Sequence, residues 1–181
     1  MINYTEQRNP ASTNLDQMSI QEMMQLINVE DQKAVSAVAK KIPMIEQLIE
    51  EVVKSFKQGG RLIYIGAGTS GRLGVLDAVE CVPTFGTPPE QVIGVIAGGD
   101  SAIKDAVEGA EDSAELGRND LKDLNLTEVD VVIGIAASGR TPYVIGALEY
   151  ANEVGAKTGA LSNNENTAIS DLADYPIEII V

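Results

Sequence analysis

The chain carries 27 acidic and 13 basic residues in 181, a formal charge of −14, with no histidine and one cysteine, Cys81. Without imidazole there is no Ser-His-Asp or Cys-His nucleophile and no histidine metal site, so acid–base work near neutral pH is left to carboxylates, Lys, Tyr or Cys81. One cysteine excludes an intramolecular disulfide and a cysteine zinc cluster, and the acidic excess, with aromatics at 4%, argues against nucleic-acid binding.

Residues 1–17 (MINYTEQRNPASTNLDQ) are polar, contain Pro10 and show no period, which predicts an extended arm. They lack the basic and apolar regions of a signal peptide, and no apolar stretch approaches the ~18 residues of a membrane span, so a soluble, cytoplasmic protein is expected. From Ser19 onward Ile20, Met23, Met24 and Ile27 share one helical face. A second pattern, Val35, Val38, Ile42, Ile45, Leu48, Val52 and Phe56, predicts an amphipathic helix bent or restarted near Pro43 and ended by Gly59-Gly60.

After Gly60 the texture changes to short apolar runs, LIYIGA, VIGVIAGG, VVIGIAAS, TGALSNN and PIEIIV, each except the last followed by a helical pattern. Strands are predicted near 61–65, 92–96, 131–135, 157–161 and 177–181, and helices near 70–80, 101–108, 111–123, 142–154 and 166–173. Such alternation indicates an α/β fold, a doubly wound, five-stranded, Rossmann-like parallel sheet with an N-terminal helical extension. Residues 1–58 form the arm and helices, and residues 59–181 the sheet domain. The last run reaches the final residue, which suits either a domain ending on a strand or a piece of a longer chain.

One trigram occurs twice. Ser70-Gly71-Arg72 follows the first strand and Ser138-Gly139-Arg140 the third, in what reads as the same strand-to-helix position. Ligands of open α/β sheets bind beyond the carboxyl ends of the strands. There Gly66, Gly68 and Gly71 allow tight backbone approach, Thr69 and Ser70 add hydroxyls at a helix N-terminus, and Ser138 and Thr141 repeat the offer, with Thr141 as a cap before Pro142. The alternative is that these residues only cap helices and tighten turns. The spelling G-x-G-x-x-G at Gly66–Gly71 lacks an acidic residue at the spacing of a dinucleotide site, and no lysine follows to make a Walker loop. Arg72 and Arg140 could touch an anion, bridge carboxylates or span an interface.

Among the acids, Glu80 reads as the end of the first sheet-domain helix, before Pro83 and beside Val79, Val82 and Phe85; a helix C-terminus and apolar neighbours would raise its pKa, as suits a general acid. Glu111 lies among Glu108, Asp112 and Glu115, as on an ordinary solvated face. Cys81 reads as a packing residue. Asn163 and Asn164 could bind sugar hydroxyls or make a turn.

The runs GRLIYIGAGTSGRLGVLDAVEC, VIGVIAGGDSAIKDAVEGAEDS and DVVIGIAASGRTPYVIGALEYA, with TEQRNPASTNLD and LINVEDQKAV before them, closely resemble N-acetylmuramic acid 6-phosphate etherases, members of the sugar isomerase (SIS) domain superfamily. The resemblance spans the chain, which looks like the N-terminal part of the longer family pattern. It implies cleavage of the D-lactyl ether of N-acetylmuramic acid 6-phosphate to N-acetylglucosamine 6-phosphate and D-lactate, by elimination then hydration, in cell-wall amino-sugar recycling. It implies no metal or redox cofactor, a phosphorylated amino sugar as substrate and a homodimer, while composition and hydropathy set aside nucleic acid and membrane as partners. The family's catalytic glutamates fall on Glu80, the acid toward the departing lactate oxygen, and Glu111, the base at C2. Its phosphosugar positions fall on Gly68, Thr69, Ser70, Ser138, Gly139, Arg140 and Thr141. The long amphipathic N-terminal helices, whose apolar stripes need a partner surface, point the same way as the implied dimer. A phosphosugar isomerase and a non-catalytic phosphosugar-binding regulator are the alternatives on the same fold.

Overall fold

A computed structural model describes residues 3–181; Met1 and Ile2, the start of the predicted arm, lie outside the described residues. The arm is not extended. It folds into three short 3-10 turns, Tyr4–Glu6, Pro10–Ser12 and Leu15–Gln17. The second starts because the Asn9 side chain accepts a hydrogen bond from the Ala11 N–H while Pro10 supplies the preset φ of a first helical residue. Helix α1 (Ile20–Ala39) opens on a capping box, Ser19 with Glu22, and α2 (Ile42–Lys57) restarts with Pro43 in its first turn.

The five predicted strands form, each within about two residues of its expected start: β1 (Leu62–Gly66), β2 (Val92–Ile96), β3 (Val131–Ile135), β4 (Lys157–Ser162) and β5 (Tyr175–Glu178). All pairs are parallel, in the order β2-β1-β3-β4-β5, with Leu62 level with Val92 on one side and Val131 on the other. Between the strands run α3 (Gly68–Phe85), α4 (Ser101–Lys104), α5 (Ala114–Asp123), α6 (Pro142–Val154) and α7 (Ala168–Leu172).

Alternation along the strands divides the apolar residues between two cores. Ile63, Ile65, Val132 and Ala160 pack under α5, α6 and α7 with Leu121, Val144, Leu148 and Ile169. Leu62, Val131 and Ile177 face α2 and α3, against Leu48 and Ala78. Leu48 fastens α2 to the sheet, whereas α1 buries only Ala37 and exposes Ile20, Met24, Ile27 and Val35. Because β1 sits between β2 and β3, the chain leaves β1 toward one edge and returns on its other side, which opens a crevice between the loops after β1 and β3. No helix among the described residues is long and apolar enough to cross a membrane.

Three helices differ from expectation. The segment 101–108 is helical only to Lys104, because Arg72 from α3 claims the carbonyls of Ile103 and Asp105. The segment 111–123 begins as a 3-10 turn, Ala110–Asp112, before α5. Helix α3 runs through Pro83 to Phe85, since a proline this near a C-terminus removes one hydrogen bond on a solvated face rather than ending the helix.

Candidate functional site

Both crevice loops lead into helices whose N-termini lack a side-chain cap. The N-cap of α3 is Ala67, which has no hydroxyl, so the first N–H groups of the helix, with the exposed Thr69 and half-buried Ser70 beside them, face outward. The N-cap of α6 is Thr141, but its hydroxyl makes no cap bond. Ser19, Ser113 and Thr167 each accept from a backbone N–H of the helix they start, whereas α2 and α4, whose N-caps are Lys41 and Asp100, also begin without a side-chain cap. What sets α3 and α6 apart is that their uncapped ends carry hydroxyls at the carboxyl ends of β1 and β3. Thr141 occupies the predicted place without the predicted bond. Two uncapped helix ends with free hydroxyls at the crevice are a ready site for an anion.

The two SGR segments are not structural equivalents. Ser70, Gly71 and Arg72 lie inside the first turns of α3, whereas Ser138, Gly139 and Arg140 form a turn before α6 begins. Gly71 is where helix and strand touch: a Cβ there would stand 2.7 Å from both the Gly66 carbonyl oxygen and Ile96 Cγ1. Gly139 is left-handed, φ +69°, and its empty Cβ position is filled by the Thr167 side chain. Arg72 is spent on backbone, donating from Nε to Ile103 O at 3.0 Å and from Nη2 to Asp105 O at 3.3 Å. Arg140 is exposed and makes no ion pair among the described residues.

The second loop is held from one side. The carbonyls of Ala137, Ser138 and Gly139 accept from Asn163 N–H at 2.9 Å, the Asn164 side-chain amide at 3.3 Å and Ile169 N–H at 3.2 Å. Ser138 Oγ accepts from Arg140 N–H at 3.2 Å and keeps its own proton to donate. Sequence reasoning missed Thr167 altogether; the signal was its place as a hydroxyl cap before an apolar helical run. Asn164, read as a sugar contact or a turn residue, is buried and bonded to this loop.

The glutamates occupy different places. Glu111 sits in the Ala110–Asp112 turn rather than on a helix face, exposed, and lines a cavity of about 160 Å³ with Ala67, Gly68, Arg72, Ala97 and Glu108. Glu80 is not at a helix end. It is an exposed residue twelve positions along the helix that starts at Gly68, roughly 18 Å away at 1.5 Å per residue, and is not among the cavity's lining residues. Around it α3 presents Leu73, Leu76, Val79, Val82 and Phe85 to solvent, Phe85 at 75% exposure. Cys81 is half-buried against the α2–α3 core, and burial pushes its thiol above the ordinary range. Among the described residues no group of three or more Cys, Asp or Glu side chains gathers in a way that could hold a metal ion.

A family model described as the glucokinase regulatory protein N-terminal SIS domain matches residues 44–152. Over 175 residues the chain is 62% identical to an N-acetylmuramic acid 6-phosphate etherase of Lactococcus lactis subsp. cremoris (strain MG1363), covering 97% of this chain and 59% of that protein. A relative of the same name from Halalkalibacterium halodurans is 59% identical over the same shares. The chain thus spans about three-fifths of the length of the curated relatives it matches. Among solved structures, a phosphoheptose isomerase from Neisseria gonorrhoeae superposes with a TM-score of 0.71 at 19% identity, over 90% of this chain and 87% of that one. The sugar isomerase domain of an RpiR transcription factor from Sphaerobacter thermophilus gives 0.58 at 16%, over 87% and 74%. At these identities the structural likeness establishes the fold.

Proposed function

The chain belongs to the family of the glucokinase regulatory protein N-terminal SIS domain, and from that premise we propose that it is the N-terminal, phosphosugar-binding part of an N-acetylmuramic acid 6-phosphate etherase. The observation that carries this reading is the identity, near 60% over almost the whole chain, to relatives of that name. The two uncapped helix ends support it, because a phosphate needs such donors and the protein's net charge of −14 supplies no general attraction. Residues 59–181 form the binding unit and residues 1–58 the arm and helices, in a cytoplasmic protein of amino-sugar recycling.

In the proposed reaction the phosphate is held by Thr69, Ser70, Ser138, Gly139, Arg140 and Thr141, with Gly68 at the approach. Glu111 takes the C2 proton, acidic because the opened sugar has an aldehyde at C1. The C2–C3 double bond forms as the C3–O bond breaks, and Glu80 protonates the departing lactate oxygen. Water then adds its hydroxyl to C3 and a proton returns to C2, so the net change is ether plus water to sugar alcohol plus D-lactate. No metal or redox step is required by this balance.

Glu80 stands too far along α3 to serve the Glu111 cavity of its own chain. A second copy packed on the exposed apolar face of α3 about a two-fold axis perpendicular to that helix would run its own α3 antiparallel and bring its Glu80 toward the first copy's Gly68 end. The homodimer and the shared site are therefore one proposal. D-lactate release from N-acetylmuramic acid 6-phosphate by the full-length protein tests the activity; isomerisation of a sugar phosphate without lactate would overturn it. Mixing inactive Glu80→Gln and Glu111→Gln chains tests the sharing: random two-fold reassembly restores about one quarter of wild-type activity. No recovery would place both glutamates in one chain. The regulatory alternative, favoured by the description of the matching family model, predicts binding of N-acetylglucosamine 6-phosphate with no lactate release at all.

A further inference from the structure

Asn164 is a buried side chain, 4% exposed, in the loop between β4 and α7, and its amide uses every hydrogen-bonding position it has. Oδ1 accepts from the Tyr4 N–H at 2.6 Å and the Thr5 N–H at 3.4 Å. Nδ2 donates to Thr5 Oγ1 at 3.1 Å and to the Ser138 carbonyl at 3.3 Å. One amide therefore joins the N-terminal arm to the second crevice loop, across about 160 residues of sequence. Thr5 is tied in turn to Asn3, its Oγ1 donating to Oδ1 at 2.9 Å, and the Tyr4 hydroxyl reaches Glu165 at 3.4 Å. A turn residue alone would need none of the arm contacts, and a residue that binds sugar hydroxyls would have no donor or acceptor left to offer.

We infer that Asn164 is a positioning residue that fastens the arm and the Ser138–Thr141 loop into one unit, so that the arm is a working part of the phosphosugar site. This rests on the reading of that loop as a phosphate holder. Its physical content is linkage: a ligand that orders the loop steadies the Ser138 carbonyl, hence Asn164, hence the backbone of Tyr4 and Thr5, and docking of the arm improves ligand affinity by the same factor. Three successive loop carbonyls are drawn toward the β4–α7 loop and the first turn of α7, and Asn164 supplies the middle bond.

The test follows amide hydrogen exchange and binding of N-acetylglucosamine 6-phosphate in the full chain. In the wild type, saturating ligand slows exchange at Tyr4 and Thr5; in Asn164→Ala it does not, and affinity falls about tenfold, the equivalent of one to two hydrogen bonds. Because Asn164→Ala could unfold the loop outright, a chain lacking residues 1–6 provides the second reading, since it leaves Asn164 and its bond to Ser138 in place. It should bind about fivefold more weakly and exchange its Gly139 amide faster. Asn164→Asp keeps the acceptor for the Tyr4 and Thr5 N–H groups and removes both donors, but the Thr5 hydroxyl can turn to donate to the new carboxylate whereas the Ser138 carbonyl cannot, so the variant should retain arm protection yet lose ligand affinity. If ligand binds the wild type with no change at Tyr4 and Thr5, or the shortened chain binds as tightly as the whole one, the arm is not part of the site. A wild type that takes up no sugar phosphate removes the phosphosugar reading itself, and this inference with it.

Discussion

The two ends of the sheet are built on opposite rules. At the amino ends of β1 and β3, Asp130 is 1% exposed and fully engaged. Its carboxylate accepts from Arg61 N–H, Nε and Nη2 at 2.8, 3.1 and 2.7 Å and from Thr127 N–H and Oγ1 at 2.9 and 3.0 Å. Arg61 also donates to the Leu124 carbonyl, and Ser55 Oγ donates to the Val129 carbonyl. At the carboxyl ends of the same strands the hydroxyls of Thr69, Ser70 and Thr141 have no protein partner among the described residues, and α3 and α6 begin without a side-chain cap. A buried polar group left unpaired is costly, so the amino end is closed on itself and serves the fold. The carboxyl end leaves its donors open, as the proposed phosphate site requires.

The largest effect is expected at the closed end. Asp130→Ala leaves the Arg61 guanidinium half-buried without its counter-charge, and should lower unfolding stability by about 3–5 kcal/mol. Denaturant unfolding measures it, with affinity of the folded fraction for N-acetylglucosamine 6-phosphate unchanged; a loss in affinity would show that the two ends are coupled. The same pair sets the response to acid. Burial pulls the Asp130 pKa upward, but the bonds from Arg61 and Thr127 outweigh it and hold the carboxyl below the ordinary aspartate value. The group then contributes its full stabilisation above the unfolded value of about 3.9, and loses it as pH falls through the lower folded value. Asp130→Asn should flatten this part of the stability–pH curve below about pH 4.

Gly139→Ala comes next, because at this position in the second crevice loop a left-handed backbone and a close neighbour, Thr167, both oppose a side chain. A methyl group there meets Thr167 in a left-handed backbone, and about 1–3 kcal/mol of stability should be lost together with sugar-phosphate affinity. Stability unchanged within about 0.5 kcal/mol would mean that the loop relaxes freely and that the packing against Thr167 holds nothing.

What the sequence made legible follows from range. Strands whose residues are buried on both faces announce themselves in runs such as LIYIG and VVIGI; the half-buried edge strand β5 did so less well, ending at Glu178 where the run PIEIIV predicted a strand over 177–181. The crevice loops were legible because glycine and hydroxyl residues cluster at strand ends. The end of α4 was not, because the group that stops it is Arg72, about thirty residues back in another helix. The repeated SGR trigram misled for a related reason: identical letters sit in a helical turn in one case and a left-handed turn in the other, and Thr167, far along the chain, decides the second. Glu80 was misplaced at a helix end by Pro83, which proves to be inside α3. The proposed pairing of Glu80 with Glu111 came from family resemblance alone, since neither periodicity nor spacing relates the two residues.

The smallest effect is the sharpest probe of the contrast, because it compares two hydroxyls in the same position. Ser113 and Thr141 are both helix N-caps, yet Ser113 Oγ accepts from the Leu116 N–H at 3.1 Å and Thr141 Oγ1 accepts from nothing in α6. Ser113→Ala should therefore lower stability by about 1 kcal/mol and leave sugar-phosphate affinity alone. Thr141→Val, which keeps the shape and removes the hydroxyl, should leave stability within about 0.5 kcal/mol and weaken binding of N-acetylglucosamine 6-phosphate about fivefold to tenfold. The two variants, read by unfolding and by titration calorimetry, should cross over. If Thr141→Val costs as much stability as Ser113→Ala with no change in affinity, its hydroxyl caps the helix in solution, and the α6 end of the crevice is closed rather than held open for a ligand.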